Sequence, residues 1–183
     1  MSYKWWILVA AGLFGCGMVW GWLAREGITG LLADEITGLG QLSSALFALP
    51  PPLMAVAIFA KNVFALLLSF ALSPILCLVP IISLVVNGGL LTFVSATIIQ
   101  EESLGFVLAG LLPHGIIEVP AFILGEAAAL SFGFMVMIAL FKKERRNQLL
   151  PCLKQNLKYL MIAFALLLPA AIIEAFVTPL LLT

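Results

Sequence analysis

The sequence predicts an all-α protein: a polytopic transmembrane helical bundle of about five spans. Of its 183 residues, 63% are hydrophobic and only 10% are charged, whereas an ordinary soluble domain has about 25% charged residues. The mean hydropathy is +1.20. Apolar runs of ~20 residues recur along the chain, and each can cross ~30 Å of hydrocarbon as a helix. We expect residues 1–183 to form one transmembrane domain.

Five apolar runs define the expected spans. They are Trp5–Leu23, Leu53–Leu72, Ile75–Ile99, His114–Phe141 and Tyr159–Leu181. Helices are favoured over strands because no ten-residue alternation occurs and backbone groups in lipid must pair internally. The first run follows Lys4, as in a signal peptide, but it lacks a clear A-x-A cleavage site. We therefore expect it to be retained as a span.

The connections between spans differ in character. In the first loop Leu42, Leu46 and Leu49 recur at helical spacing, which predicts a helix lying at the membrane interface. The triple proline Pro50–Pro52 should end that helix. The second and third spans meet at Ser73–Pro74 without a polar loop, so we expect a tight helical hairpin.

The segment Leu104–Phe141 has 38 residues. One helix of that length would measure roughly 57 Å, too long for one straight span. We expect a break at Pro113, with Gly115 and Pro120 as further interruptions of the fourth span. Residues 103–112 would then form a short helix that lies at the outer interface or re-enters the membrane.

Positive charge predicts the orientation of the chain. Seven of the nine lysines and arginines are Lys4, Lys142, Lys143, Arg145, Arg146, Lys154 and Lys158. Because cytoplasmic segments are enriched in Lys and Arg, we expect a multi-pass protein of the cell membrane. Its N-terminus and the 142–158 loop would be cytoplasmic, and its C-terminus outside. Beside a membrane helix, this basic patch indicates topology and attraction to anionic lipid rather than nucleic-acid binding.

Several classes of site are not supported by the sequence. Cys16, Cys77 and Cys152 are isolated, and no CxxC pair exists, so neither a disulfide framework nor a thiolate metal site is expected. Walker and GxGxxG motifs are absent, which argues against nucleotide binding. We expect no cofactor and assign no catalytic residue.

The stretch "LLPHGIIEVPAFILGE", Leu111–Glu126, holds the only histidine in an apolar region. Counting 1.5 Å per helical residue predicts two polar layers within the membrane. The outer layer holds His114, Glu118 and Glu174, and the middle layer holds Lys61, Asn62, Asn87 and Glu126. A charge at the bilayer centre costs about 3 kcal/mol, so these groups should face the interior of the bundle. We expect an ion pair between Lys61 and Glu126 and a hydrogen bond from His114 to Glu118 or Glu174.

The first span carries a pattern of small residues. Gly17 and Gly21 form a GxxxG motif, and Ala11 with Gly15 forms a second pair of the same spacing. Such a face lets two helices approach closely. It suits either the seam of a homodimer or a contact within the chain. The expected partners are the lipid bilayer and either a second copy or another membrane protein.

Four blocks of the sequence resemble the stage II sporulation protein M family. They are "PHGIIEVPA" (Pro113–Ala121), "KNVFALLLSFALSPIL" (Lys61–Leu76), "NGGLL" (Asn87–Leu91) and "AAIIEAFVTPLL" (Ala170–Leu181). The resemblance implies a multi-spanning helical membrane protein. The sporulation member of the family looks like a scaffold in membrane-anchored machinery that remodels septal peptidoglycan. The motif positions that the resemblance implies are Lys61, Asn62, Asn87, His114, Glu118, Pro120 and Glu174.

The expected function is therefore a membrane scaffold or a subunit of a membrane complex, more plausibly not an enzyme. Two alternatives use the same polar groups. One is a small cation- or proton-linked transporter or channel. The other is a metal-dependent hydrolase within the membrane, whose ligands would be His114, Glu118 and Glu174. That alternative lacks an HExxH motif.

Overall fold

The computed structural model describes residues 3–28 and 48–182. Within these ranges five long helices occur and no strand. They are α1 (Tyr3–Ile28), α2 (Pro51–Leu72), α3 (Leu78–Glu101), α4 (Leu104–Phe141) and α5 (Leu149–Phe176). A 3-10 helix, Lys143–Gln148, joins α4 to α5, and the one-turn helix α6 (Thr178–Leu181) follows α5. All five long helices are long and apolar enough to cross a membrane, which confirms the predicted all-α polytopic bundle.

Local sequence explains where the helices start. Pro51 and Pro52 occupy the first turn of α2, where the missing N–H groups would have no partner within the helix. Ser103 precedes α4, and its Oγ accepts a hydrogen bond of 3.1 Å from the Phe106 N–H, as a side-chain cap does. Helix α5 begins at Leu149, ten residues before the predicted Tyr159.

The interfacial helix predicted in the first loop is not part of the described structure. Leu42 and Leu46 lie outside the described residues. Leu49 is described, and it lies in the turn that precedes α2 rather than in a helix.

The connection between α2 and α3 covers residues 73–77 and is short, although longer than the two residues predicted. Leu76 and Cys77 have φ angles of 52° and 54°, in the left-handed region that non-glycine residues seldom adopt. The turn packs closely on α4, because a Cβ atom at Gly133 would overlap the Ser73 carbonyl oxygen. The Cys77 Sγ also lies 3.7 Å from the Leu130 carbonyl oxygen. The strained turn therefore packs directly against α4.

The break predicted at Pro113 is not observed, and the prediction is wrong. Helix α4 runs without interruption from Leu104 to Phe141, and Pro113, Gly115 and Pro120 all lie inside it. A proline removes one helical hydrogen bond and crowds the carbonyl four residues earlier. Membrane helices tolerate this because neighbouring groups and small local adjustments satisfy the freed carbonyl. The short helix expected over residues 103–112 is instead the first part of α4.

Glycines bring α1 and α3 into close contact. A Cβ atom at Gly17 would overlap the Val85 carbonyl oxygen, and one at Gly21 would overlap the carbonyl oxygen of Gly89. A Cβ atom at Gly88 would overlap the Phe14 carbonyl oxygen in the same way. The GxxxG face is thus filled within the chain, which is one of the two predicted uses of Gly17 and Gly21, and α3 occupies the surface that an oligomer seam would need. Both contacts advance by four residues in each helix, so α1 and α3 run parallel.

Helix α4 lies at the centre of the bundle. One buried cluster joins it to α2 and α5 through Leu66, Ala128 and Leu160, among others. A second cluster joins it to α1 and α3 through residues that include Phe14 and Leu84. Small side chains on α4, such as the fully buried run 127–129, allow helices to pack on both sides of it. The central position of α4 puts its polar residues between the other helices.

The aromatic ring of Tyr3 fixes the start of α1. It stacks on Tyr159 of α5, with centroids 3.4 Å apart and planes 7° from parallel. Its hydroxyl donates a hydrogen bond of 2.8 Å to the Leu124 carbonyl oxygen in α4. One side chain therefore connects three helices.

Candidate functional site

The outer polar cluster consists of His114, Glu118 and Glu174. One ligand atom from each of the three lies within 4.8 Å of the other two. His114 and Glu118 are four residues apart on α4 and so share a face, with 3.9 Å between His114 Nε2 and a Glu118 carboxylate oxygen. Glu174 comes from α5. The structure thus brings together the three residues of the predicted outer layer.

Two further residues complete the surroundings of this cluster. Asn62 on α2 donates a 2.8 Å hydrogen bond from Nδ2 to Glu118 Oε1, so it belongs to the outer cluster and not to the middle layer. His114 Nδ1 lies 3.3 Å from Thr178 Oγ1 on α6. Both His114 and Thr178 are buried. Four helices therefore contribute polar groups to one place.

Thr178 was not predicted as a site residue. It lies just beyond the end of α5, where Val177 interrupts the helix before α6 starts. Pro179 occupies the first turn of α6 and has no N–H to continue the bonding of α5. The dipeptide Thr178-Pro179 is the sequence signal for this interruption, which directs the threonine hydroxyl towards His114.

The predicted ion pair between Lys61 and Glu126 is wrong. Lys61 is exposed on α2, and it interacts electrostatically with Glu174 of the outer polar cluster. The α2 residue that reaches Glu126 is Ser69, eight residues further on, a distance of about 12 Å along a helix. Lys61 is therefore one layer too far out to meet Glu126.

Glu126 instead forms a hydroxyl-lined site in the middle of the bundle. Its side chain is fully buried. Ser69 Oγ on α2 donates a hydrogen bond of 2.5 Å to one carboxyl oxygen, and Ser83 Oγ on α3 donates one of 2.7 Å to the other. The Glu126–serine site thus connects α2, α3 and α4. The sequence did not point to either serine, because a serine hydroxyl in a helix donates as often to a backbone carbonyl of its own helix as to another helix.

Asn87 does not join the middle layer either. It is exposed, and its Nδ2 donates a 2.8 Å hydrogen bond to the Ser83 carbonyl oxygen one turn earlier on α3. Ser83, which reaches Glu126, lies one turn earlier on the same helix face, so Asn87 lies about 6 Å beyond the level of that contact. The two glycines that follow it face α1, as described above.

The order and spacing of these residues can be compared with known proteins. The family model described as stage II sporulation protein M matches residues 10–179.

The chain belongs to the stage II sporulation protein M family.

Another protein similar to this family member comes from Methanocaldococcus jannaschii and is described as uncharacterized. It is 24% identical over 174 residues, which cover 94% of this chain and 93% of the other. No solved structure matches the chain.

The blocks that resemble the stage II sporulation protein M family occupy the contacts between helices. "PHGIIEVPA" supplies His114 and Glu118 to the outer polar cluster, and "AAIIEAFVTPLL" supplies Glu174 and Thr178. "NGGLL" supplies the glycines that meet α1. In this family member the blocks therefore form one polar site and one glycine contact.

The donor atoms of the outer polar cluster are one imidazole nitrogen and two carboxylates. Such nitrogen and oxygen donors suit zinc, manganese or iron(II). Ligands at ~2.1 Å from a tetrahedral ion lie about 3.4 Å apart. Donors up to 4.8 Å apart would have to close by up to roughly 1.4 Å on one ion. Side-chain rotation of the two glutamates can supply that movement because both are only partly buried.

Proposed function

We propose that this family member is a non-enzymatic membrane scaffold or subunit of a membrane complex, and that a divalent cation at the outer polar cluster fixes the shape of its bundle. The observation that supports this is the convergence of His114, Glu118 and Glu174 within 4.8 Å. Two carboxylates at such a short separation repel each other. In a membrane-spanning bundle positive charge stabilises such a pair, and a divalent cation would add to the charge of Lys61, which interacts with Glu174.

The positions of the ligands give the cation a structural role. Glu118 and His114 belong to the central helix α4, Glu174 belongs to α5, and Asn62 of α2 holds Glu118 from the other side. A cation bound here would join helices that otherwise meet through apolar contacts. Its binding free energy would then add to the stability of the folded bundle.

Cation-dependent unfolding of the purified protein tests this function. After chelation in detergent, thermal unfolding is measured with zinc, manganese, magnesium or calcium. A cation at 100 times its dissociation constant should stabilise the bundle by about 2.7 kcal/mol and raise the midpoint by several degrees. Glu118→Gln and Glu174→Gln should each abolish that increase.

The matched control is Glu102→Gln, because Glu102 is an exposed acid outside the cluster. It should keep the full response to the cation. The proposal is wrong if no divalent cation raises the midpoint of the wild type, or if the Glu102 variant loses the response as well.

A second candidate function is cation- or proton-linked transport. The observation that favours it is the 27% exposure of the Glu118 side chain, which leaves one end of the cluster open to its surroundings. The helix is interrupted at the α5–α6 junction next to His114. Interrupted helices also form the ion sites of many transporters. Reconstituted protein should then give a cation- or pH-dependent flux that Glu118→Gln abolishes. If the liposomes show no flux, transport is ruled out and only the structural role remains.

We also propose an orientation and a set of partners. The N-terminus and the 142–158 segment would face the cytoplasm and the C-terminus would lie outside, since this puts the basic residues on the inner side. The partners would be lipid and other membrane proteins, which the exposed apolar faces of the helices suit. Large exposed side chains such as Trp20, Leu23 and Phe64 are typical of such faces.

A further inference from the structure

We propose that a groove between α1, α4 and α5, beside the 3-10 helix, binds the headgroup and upper acyl chains of an acidic phospholipid. This site is separate from the outer polar cluster. We call it the basic groove. Its lining comes from Tyr3 and Trp6 of α1, from the last turns of α4 and from the first turns of α5.

The size and the inner wall of the basic groove suit an amphiphile. Its volume is about 610 Å³, within the roughly 300–1,000 Å³ of typical ligand sites. One wall is apolar and includes Phe134, Met135 and Ile138. Trp6 lies across from it, with ring centroids 5.2 Å from Phe134. Acyl chains could pack against this wall without exposing polar groups.

The rim of the basic groove carries positive charge. Lys142 and Arg145 line it, together with Gln148 and Gln155, and no acidic residue is among its described lining. Gln148 accepts a 2.9 Å hydrogen bond from Arg145 Nη1, which holds the guanidinium in place with other N–H groups left to donate. Arginine in such a fork geometry binds phosphate oxygens well. Charge complementarity therefore favours an anionic headgroup.

The combination of the two surfaces identifies the occupant. A soluble anion would use the rim but not the apolar wall, and a neutral lipid would use the wall but not the rim. The groove also lies where α4 ends and the basic segment begins, and basic pockets between membrane helices at that depth suit anionic headgroups. Tryptophan and tyrosine are frequent at the same level of a membrane.

Cys152 provides a reporter for occupancy. It lines the basic groove, whereas Cys77 is buried and Cys16 is exposed on α1. The protein is reconstituted into phosphatidylcholine vesicles with or without phosphatidylglycerol. Alkylation by N-ethylmaleimide is then followed by mass spectrometry, which separates the three cysteines. Phosphatidylglycerol should slow the reaction of Cys152 several-fold and leave that of Cys16 unchanged.

Matched charge variants identify the residues responsible. The double variant Lys142→Gln with Arg145→Gln should lose the protection, with phosphatidylglycerol binding about tenfold weaker, the scale of a charge-assisted hydrogen bond. Lys154→Gln with Lys158→Gln removes the same charge from residues outside the groove lining and should keep the protection. Inorganic phosphate added to phosphatidylcholine vesicles should give none.

Three outcomes would overturn the inference. One is an equal rate for Cys152 in both kinds of vesicle. Another is equal loss of protection in the two double variants, since that would mean general attraction to a charged surface. The third is protection by inorganic phosphate alone, which would mean a simple anion site.

Discussion

At the scale of single residues, Glu126 shows how a carboxyl group is accommodated in the middle of an apolar bundle. It is fully buried, and both of its oxygens accept hydrogen bonds from serines of other helices. A buried polar group with its partners in place costs little, but one that loses a partner retains its desolvation cost. The serines therefore matter more for stability than their size suggests.

Ser69→Ala should destabilise the protein by about 1–3 kcal/mol, because one buried carboxyl oxygen loses its donor. The free energy of unfolding can be measured by titration with denaturing detergent. Ser95→Ala is the control, since among the described residues the Ser95 hydroxyl bonds only the Leu91 carbonyl of its own helix. A Ser95 variant that is as unstable as the Ser69 variant would contradict the role given to Glu126.

Residue counting predicted the outer layer well and the middle layer poorly. The outer layer of His114, Glu118 and Glu174 follows from the rise of 1.5 Å per residue, and the structure brings these residues together. Lys61 and Asn62 are neighbours in sequence, yet Asn62 points inwards and Lys61 is exposed, because successive residues are 100° apart on a helix. Depth along one helix follows from the residue count, whereas the level of one helix against another and its rotation depend on how the helices pack together.

At the scale of helices, glycine determines how α1 and α3 fit together. Gly17 and Gly21 on α1 meet Val85 and Gly89 on α3, so backbone approaches backbone along two turns. Close approach permits van der Waals contacts and Cα–H···O contacts, which take the place of the hydrophobic driving force that lipid does not provide. The motif itself was read correctly from the sequence, but its partner could not be known because the sequence does not say which helix is adjacent.

Gly17→Ala should destabilise the folded protein by about 1–3 kcal/mol, the usual cost of overpacking, since the new methyl group would overlap the Val85 carbonyl oxygen. Denaturant titration measures this change, and the mass of the particle in detergent should stay the same. Gly12→Ala is the control, because nothing lies within 4 Å of a Cβ atom there. If the Gly17 variant keeps its stability and loses an oligomer, the seam lies between chains.

At the scale of the whole molecule, the five long helices alternate in direction. This alternation puts both basic regions, Lys4 and the 142–158 segment, on the same side of the bundle. The parallel packing of α1 and α3 agrees with this alternation, since the first and third spans must cross in the same direction. The number and order of the spans could be predicted because long apolar runs are unambiguous. The continuity of α4 could not, because proline lowers the probability of a helix without excluding it.

Labelling from one side of the membrane tests the orientation. With the native cysteines replaced by serine, Asn147→Cys and Glu102→Cys put single thiols at exposed positions on opposite ends of α4. A membrane-impermeant maleimide should label Glu102→Cys in intact cells and Asn147→Cys only after the membrane is opened. The reverse pattern would invert the proposed orientation.

The uninterrupted length of α4 has a consequence for the surrounding bilayer. To fit its roughly 57 Å into about 30 Å of hydrocarbon by tilt alone would need an angle of roughly 58°, beyond the range of about 0–40° seen in membrane proteins. Its apolar ends, such as the strongly exposed Phe141, therefore reach into the headgroup regions or meet lipid that thickens around the protein. Neighbouring copies that share one thickened region disturb less lipid than separate copies do. Hydrophobic mismatch would thus gather this protein in the thicker regions of a membrane without any contact between its chains.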